Sequence, residues 1–386
     1  MAPRLTVVMP MKGRHLFTFR FLWHANKARL PYRFLLADGL VNEAVARRLE
    51  DSRKEFQELD IEYVRYPDDA DYSRYFAKMS DAMQRVRTPY VMLADNDDFL
   101  GFNGIERALD FLDTHEDYIS ARGHQVGFSI YSGIGALPGG ICGKFNQFYM
   151  DSDFKDVDAP AAAERLREGG LCHRLHYAIY RTAAPVCILR EVAEINFSDL
   201  MLYEDFFALR ALTLGKAHIN NETISYYSQA GTGVSYQPLR DWARHLLRSR
   251  FTSDAHAVVE RISLVVADAD GADAATIAEE VRAILECRYG KFLSVNYGLP
   301  EQIKSTMRRK WPRLTNYLQT RPRFSVSRER EAIFSKLKNV GASPEDLRRI
   351  RGELAEIACV LSPAVFADYA GPFLPIAQAD AGREWL

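Results

Sequence analysis

The first hundred residues alternate between short apolar runs and amphipathic segments of helical length. The apolar runs lie at residues 5–9, 33–37, 61–65 and 90–94, and each has the length of a β-strand. Strands that are separated by one helix each form right-handed βαβ units and lie parallel in one sheet. The sequence therefore predicts an α/β fold with a Rossmann-like, mostly parallel sheet in this part of the chain.

The fourth apolar run ends in an acidic tip, Asp95-Asn96-Asp97-Asp98. In open α/β sheets, ligands bind at the carboxyl ends of the strands. Asp95 and Asp97 lie two residues apart and can reach one hard cation, and carboxylate oxygens suit Mg²⁺ or Mn²⁺. Such a cation typically keeps positions open for the phosphate oxygens of a nucleoside diphosphate. A turn that caps the next helix explains the same residues equally well, because Asp and Asn are common at N-caps.

Three further features have the chemistry of a nucleotide site. The segment from Pro10 to Arg14 closes the first strand and opens a helix, where a nucleotide can dock. Asp38 ends the second strand and can accept hydrogen bonds from a base or a ribose, or can cap a turn. Glu204 and Asp205 are predicted to open a helix, where the helix dipole favours ionised carboxylates. An ionised Asp is what a general base requires.

At these motifs the chain resembles the family 2 glycosyltransferases, which have the GT-A fold. Five segments match the family in order: the opening strand at 5–10, the uridine-side acidic motif at 35–39, the segment Ala77-Lys78-Met79-Ser80-Asp81 where the family has Ala-Arg-Asn, the DxD motif at 93–98, and the acidic pair at 204–205. The resemblance covers about residues 5–228. It implies a GT-A catalytic domain at residues 1–239.

The sequence also departs from the family pattern at identifiable positions. Ala37 stands where the family usually has the first of two Asp residues. Lys78 replaces the usual Arg, which keeps the charge but loses bidentate geometry. The Gln-x-x-Arg-Trp motif of the polymerising members is not found. The resemblance therefore implies a bacterial, non-processive enzyme rather than a polysaccharide synthase.

The resemblance also implies a mechanism. A sugar would move with inversion from a nucleoside-diphosphate donor, with a UDP-sugar favoured, to a hydroxyl of a glycan or lipid-linked acceptor. Asp95 and Asp97 would hold Mn²⁺ or Mg²⁺ on the donor diphosphate, where the cation neutralises the charge of the leaving nucleotide. Asp205 would remove the acceptor proton, and Glu204 would orient Asp205 or bind the acceptor. The residues expected to line the donor are Pro10, Arg14, Asp38, Lys78, Asp95 and Asp97.

Composition limits the binding partners and the cellular location expected for this protein. The chain has 386 residues and a net charge of −1, so there is no overall electrostatic case for binding nucleic acid. Five scattered cysteines without a CxxC pair fit a reducing compartment and no zinc site. The start does not resemble a signal peptide, and no run approaches the ~20 apolar residues of a membrane span. A cytoplasmic protein is expected, with the inner face of the membrane as an alternative location.

Beyond residue 239 the strand pattern fades and helical spacing dominates. Residues 242–251, 255–267, 274–289 and 344–360 have apolar positions at helical intervals, which predicts a mainly helical C-terminal region at residues 240–386. An acceptor-binding, homo-oligomeric or membrane-surface role is expected for it. The stretch from Lys304 to Arg330 is rich in cations and is interpreted as a solvated face, with anionic lipid and then nucleic acid as alternatives.

Two other functions remain open on the sequence alone. One is a catalytically silent module that binds sugar nucleotides. The other is a metal-dependent phosphatase of the haloacid dehalogenase type, although Phe99 follows the motif here instead of the Thr or Val of that class. The aromatic and glycine-rich stretch at residues 118–150 is predicted to form antiparallel strands that face the acceptor. The histidines expected to be structural are His173, His176 and His218.

Overall fold

The computed structural model describes residues 2–50, 56–131, 140–170, 173–230, 249–297 and 326–370. Its strands are β1 (Leu5–Met11), β2 (Arg33–Asp38), β3 (Asp60–Arg65), β4 (Tyr90–Leu93), β5 (Phe99–Leu100), β6 (Tyr118–Tyr131), β7 (Lys144–Met150), β8 (Ile179–Arg181) and β9 (Lys216–Gln229). The helices of the first 230 residues are α1 (His15–Lys27), α2 (Glu43–Glu50), α3 (Tyr72–Gln84), α4 (Phe102–Thr114), α5 (Ala162–Gly169), α6 (Ala183–Ile195) and α7 (Leu200–Leu214). The later helices are α8 (Ser249–Asp270), α9 (Ala274–Tyr297), α10 (Val326–Asn339), α11 (Pro344–Val360) and α12 (Pro363–Ala370).

The first four strands form the predicted parallel block. The sheet has the order β3-β2-β1-β4-β8-β6-β9-β5, and β3, β2, β1 and β4 all run parallel. Met11 is paired with Asp38, and Val8 is paired with Leu93. This register brings the loops after β1, β2 and β4 to one edge of the sheet, where an α/β fold binds its ligands.

The second half of the sheet is mixed. β8 lies antiparallel to both β4 and β6, whereas the long strands β6 and β9 are parallel to each other. β7 pairs with β6 as an antiparallel partner, which confirms the antiparallel strands predicted for this stretch. The strand-like run at residues 176–180 is divided between two elements: a 3₁₀-helix occupies His173–Tyr177, and β8 begins at Ile179.

Local signals explain where several helices begin. α3 starts at the N-cap Asp71, whose side chain accepts a hydrogen bond from the N–H of Arg74. α11 starts with a complete capping box between Ser343 and Asp346 and has Pro at its first position. α2 is described from Glu43 to Glu50, and residues 57–58 lie in a turn before β3.

The C-terminal helices pack on the sheet region, and their helical character is confirmed. Val258 and Val281, from α8 and α9, share one buried cluster with Leu212 of α7. Leu337 of α10 shares another with Phe128 of β6. The boundary expected at residues 239–240 lies outside the described residues and stays a prediction. Most of the cationic stretch at 304–330 also lies outside the described residues, which include only its last part at the start of α10. Its role stays a prediction. No helix in the described ranges is long and apolar enough to cross a membrane.

Candidate active site

Three carboxylates meet where β4 ends. Asp95, Asp97 and Asp98 each offer one oxygen, and these oxygens lie within 4.8 Å of one another. The structure thus brings together the two residues predicted to hold a metal and adds Asp98 to them. We call these three residues the acid cluster. All of its potential ligands are carboxylate oxygens, the type that a hard divalent cation prefers.

Two stacked tyrosines hold the acid cluster. The hydroxyl of Tyr177 donates to Oδ2 of Asp95 at 2.7 Å, and the N–H of Asp95 donates to the hydroxyl of Tyr226 at 2.9 Å. The two rings stack with centroids 4.6 Å apart and an angle of 16° between their planes. They come from the 3₁₀-helix and from β9, which are distant from β4 in sequence. The sequence analysis did not single out either residue.

Burial and mutual repulsion perturb the acid cluster. Burial, followed by the negative charge of Asp97, raises the pKa of Asp95 to about 6. The pKa of Asp98 is raised well above its ordinary value by burial and then by Asp97 and Asp95. A bound cation relieves repulsion of this kind. The residues therefore fit a divalent metal ion in electrostatics as well as in ligand type.

Two arginines of the β1–α1 region contact the acid cluster. Arg14, in a left-handed conformation with φ 53°, donates from Nη2 to Oδ2 of Asp97 at 2.9 Å. Arg20 is fully buried on α1 and donates from Nη2 to the carbonyl of Asp97, and from Nη1 to the carbonyl of Ile141 at 2.8 Å. Arg14 was predicted to line the donor, and the structure places it beside the acid cluster. Arg20 was not predicted to belong to the site, although an arginine on the apolar face of a helix can be recognised in the sequence.

Asp38 is already engaged by its own fold. Its Oδ2 accepts a hydrogen bond from the hydroxyl of Tyr63 at 2.6 Å, and its Oδ1 accepts one from the N–H of Leu40 at 3.0 Å. His15 adds a nitrogen 4.0 Å from Oδ2, and the Asp38 side chain is completely buried. These contacts argue against the expected direct hydrogen bond to a base or a ribose. They favour the turn-capping alternative instead.

A buried ion pair lies next to this turn. Nζ of Lys78 contacts Oδ2 of Asp69 and also donates to the carbonyl of Met11 at 3.1 Å. Burial raises the pKa of Asp69 and lowers that of Lys78, while their contact acts in the opposite direction for each. Oδ1 of Asp69 is buried and has no hydrogen-bond partner among the described residues. Lys78 was predicted to line the donor, whereas Asp69 was not singled out in the sequence.

Gly39 makes the position of Asp69 possible. A Cβ atom at residue 39 would lie 2.2 Å from Oδ2 of Asp69, so any side chain there would displace this carboxylate. The N–H of Asp69 in turn donates to the carbonyl of Gly39 at 2.8 Å. Pro10, which was expected to line the donor, is half-buried in β1 and paired with Ala37 close to this turn.

Glu204 and Asp205, which we call the acid pair, do not open a helix. α7 begins at Leu200, directly after its N-cap Asp199. Because this cap precedes the acid pair in the chain, Glu204 and Asp205 lie in the second turn of the helix. Oδ2 of Asp205 accepts hydrogen bonds from Nε of Arg288 at 2.6 Å and from the hydroxyl of Tyr289 at 2.8 Å. Asp205 is 3% exposed, and burial raises its pKa to about 6 against the opposing effect of Arg288.

The side chain of Glu204 differs from that of its neighbour in exposure and in hydrogen bonding. It is half-buried and forms no hydrogen bond or ion pair within the described residues. Burial raises its pKa to about 8, and the negative charges of Asp95 and Asp205 add to that effect. Glu204 is therefore within electrostatic reach of the acid cluster. Of the acid pair, it is the carboxylate that is available for a substrate.

The histidines near the site have structural surroundings. His176 is buried with its ring about edge-on to those of Tyr177, Tyr203 and Phe207, and burial lowers its pKa to about 3. It is therefore neutral. His218 hydrogen-bonds Asp156 at 2.8 Å. The side chain of His173 lies outside what the structure describes.

The sequence matches no family model and no curated protein. Solved structures with a similar fold include S. aureus TarS, at 14% identity and a TM-score of 0.47, where the match covers 78% of this chain and 46% of that chain. S. aureus TarS 1-349 in complex with UDP-GlcNAc is 16% identical, with a TM-score of 0.47 and coverage of 78% and 77%. The mannosyltransferase PcManGT from Pyrobaculum calidifontis, in complex with GDP-Man and Mn²⁺, is 10% identical, with a TM-score of 0.39 and coverage of 80% and 84%. The chain thus spans less than half of the full TarS structure that it matches.

Proposed function

We propose that this protein is a metal-dependent, inverting glycosyltransferase that uses a nucleoside-diphosphate sugar. The observation that carries the proposal is the acid cluster, which lies at the ligand-binding edge of the sheet with Glu204 in electrostatic reach. The five motifs of the sequence support the same activity.

The donor diphosphate is assigned to the acid cluster. Asp95 and Asp97 would hold Mn²⁺ or Mg²⁺, and the cation would supply charge neutralisation for the departing nucleotide. Tyr177 and Tyr226 orient Asp95 through their hydrogen bonds, as the outer contacts of a metal ligand commonly do. Arg14 holds Asp97 and brings a positive charge to the same edge.

The nucleoside is assigned to the turn after β2. Oδ1 of Asp69 is a buried acceptor that lacks a donor among the described residues, and a base or ribose can supply one. Lys78 fixes the other oxygen of the same carboxylate. Asp38 stabilises this turn through its own hydrogen bonds and would not contact the ligand. A UDP-sugar remains the favoured donor, on the strength of the sequence motifs.

Glu204 is proposed as the general base that takes the proton of the acceptor hydroxyl. Asp205, which the sequence predicted for this role, already accepts two hydrogen bonds on one oxygen and is buried. A base works best when its pKa lies near the working pH, and Glu204 meets this condition. The acceptor would be a glycan or a lipid-linked glycan, which enters beside α7.

The test is nucleotide release by the full chain. The protein is incubated with UDP-, GDP- and dTDP-sugars, each with Mn²⁺, with Mg²⁺ or with a chelator, and free nucleoside diphosphate and the thermal unfolding midpoint are measured. We expect metal-dependent release from one donor class, and its loss in Asp97→Asn. Asp110→Asn changes an exposed aspartate far from the site and serves as the control.

Three results would contradict the proposal. Release that persists in the chelator and in Asp97→Asn would place the chemistry elsewhere. Donor binding without release or transfer to any acceptor would instead favour the silent binding module. Release of inorganic phosphate from simple phosphate esters would favour the phosphatase.

A further inference from the structure

The helices α8 and α9 hold the amino-terminal end of α7 at two points. The first is Ser198, directly before the N-cap of α7, whose N–H and hydroxyl donate to Oδ2 of Asp254 on α8 at 2.8 Å and 2.7 Å. The second is Asp205, in the second turn of α7, which is bound by residues of α9. The stretch between these points contains Glu204.

The contact at Asp205 is the stronger of the two. Arg288 and Tyr289 both donate to the same oxygen of Asp205. Hydrogen bonds that pair an ionised donor with a carboxylate are short and strong, and this one is mostly shielded from solvent. The Tyr289 ring is itself fixed by an edge-to-face contact with Phe251 of α8, with centroids 5.1 Å apart. Asp205 is therefore held by two adjacent residues of α9, one of which is itself packed against α8.

We propose that Arg288 and Tyr289 are positioning residues that anchor Asp205 and thereby fix the helical turn carrying Glu204, so that the C-terminal helices complete the catalytic site. This inference rests on the function proposed above. It gives α9 a part in the chemistry, where the sequence predicted only acceptor binding, oligomerisation or membrane contact for this region.

The physical basis is the geometry of a helix. Neighbouring residues point about 100° apart, so the side chains of Glu204 and Asp205 leave α7 in different directions while sharing its backbone. A shift of that backbone moves both. A displacement of about 1 Å at a reacting group can lower the rate about 100-fold. The charges that reach Glu204 are those of Asp95, Asp205, Arg288 and Asp199.

The test compares four variants of the full chain. Arg288→Gln removes the charge, Arg288→Lys keeps it, and Tyr289→Phe removes only a hydroxyl. Arg282→Gln is the matched control, because Arg282 lies on the same helix but pairs with the exposed Glu279. The measurements are kcat, the donor KM, the pH profile of kcat and the thermal unfolding midpoint.

We expect kcat of Arg288→Gln to fall about 10- to 100-fold while the donor KM stays within about twofold. The acid limb of its pH profile should move to higher pH, because the cation that favours the ionised form of Glu204 is gone. Arg288→Lys should recover part of kcat and most of the pH profile. Arg282→Gln should match the wild type.

Several outcomes would overturn the inference. A folded Arg288→Gln with wild-type kcat and pH profile would do so, as would a change in donor KM alone. If Arg288→Gln does not fold, Tyr289→Phe decides: we expect a several-fold loss of kcat at unchanged donor KM, and wild-type kinetics would exclude the role. A wild-type protein that transfers no sugar would overturn the proposed function together with this inference, whereas an active wild type with unaffected variants would overturn this inference alone.

Discussion

The hydroxyl of Tyr177 lies 2.7 Å from Oδ2 of Asp95, and through this contact the 3₁₀-helix before β8 fixes one carboxylate of the acid cluster. The hydrogen bond also lowers the pKa of Asp95, against burial and against Asp97. It therefore favours the ionised form, which is the form that binds a cation. Two parts of the chain more than 80 residues apart thus prepare one metal ligand.

The first prediction is that Tyr177→Phe weakens metal binding. The ring can still stack on Tyr226, but Asp95 loses the donor that orients it. Outer contacts of this kind typically account for about 10- to 100-fold in metal affinity. We expect the dissociation constant for Mn²⁺ to rise by about that factor in a titration calorimeter. Tyr90→Phe is the control, because its hydroxyl bonds Asp113 at the first residue of β4, the end opposite to the acid cluster. Equal Mn²⁺ affinity in all three proteins would contradict the prediction.

The second prediction concerns the close approach of Gly39 to Asp69. Gly39→Ala places a methyl group where the Asp69 carboxylate lies, so the Asp69–Lys78 ion pair must move. Overpacking of this kind costs about 1–3 kcal/mol in the free energy of unfolding. We also expect nucleoside-diphosphate affinity to fall at least about tenfold, measured by thermal shift or calorimetry.

Gly352→Ala is a matched control for this change. Residue 352 lies within α11, and a Cβ atom there meets nothing within 4 Å. This substitution should raise stability by about 0.5–1 kcal/mol, because Ala is the better helix former. Unchanged nucleotide binding in a folded Gly39→Ala would show that the turn after β2 does not bind the nucleoside.

The third prediction is a pH dependence of stability that comes from Glu353. This half-buried carboxylate accepts hydrogen bonds from the N–H of Asn103 at 2.9 Å and the hydroxyl of Tyr227 at 2.7 Å, and burial raises its pKa to about 7. Between its ordinary value of 4.5 and about 7, the folded protein therefore holds more protons at Glu353 than the unfolded chain does. Stability must then fall as the pH rises through this window.

Glu353→Gln removes the titration; its amide oxygen can still accept from the N–H of Asn103, and its NH2 group can donate to the hydroxyl oxygen of Tyr227. Its free energy of unfolding should fall less between pH 4.5 and 7, and at pH 8 it should exceed that of the wild type by about 1 kcal/mol. Denaturant unfolding at several pH values measures both curves. Glu345→Gln, an exposed position on the same helix, is the control. Parallel curves for wild type and Glu353→Gln would exclude this source of pH dependence.

The parts of the fold that the sequence predicted are those with local signals. The alternation of apolar runs and helical segments located β1 to β4: β1, β2 and β4 are buried almost throughout, whereas β3 at the edge of the sheet is only partly buried. α11 was predicted with its observed bounds from apolar positions at helical intervals, a pattern that is local in the chain. The acidic tip after β4 was found for the same reason.

The parts of the site that the sequence did not predict depend on contacts between distant elements. Tyr177 and Arg288 reach the carboxylates of Asp95 and Asp205 across about 80 residues of chain. Asp38 was expected to face a ligand because it ends the second strand. Its partner Tyr63 lies on β3, and only the pairing of β2 with β3 brings the two together. No local pattern encodes these contacts.

The last prediction separates the two members of the acid pair. Glu204→Gln keeps the size of the side chain and removes the proton acceptor, so kcat should fall about 10²- to 10⁴-fold with donor and Mn²⁺ affinity nearly unchanged. Asp205→Asn instead disturbs a buried partner of Arg288, so it should lower the thermal unfolding midpoint and reduce kcat less.

Kinetics of the two variants with the best donor, together with their melting curves, give the comparison. If Asp205→Asn abolishes turnover without loss of stability while Glu204→Gln stays active, Asp205 is the base and the sequence-based assignment is right. The configuration of the product adds an independent check, because one base and one displacement require inversion at the anomeric carbon. A product that retains the donor configuration would exclude this mechanism for either carboxylate.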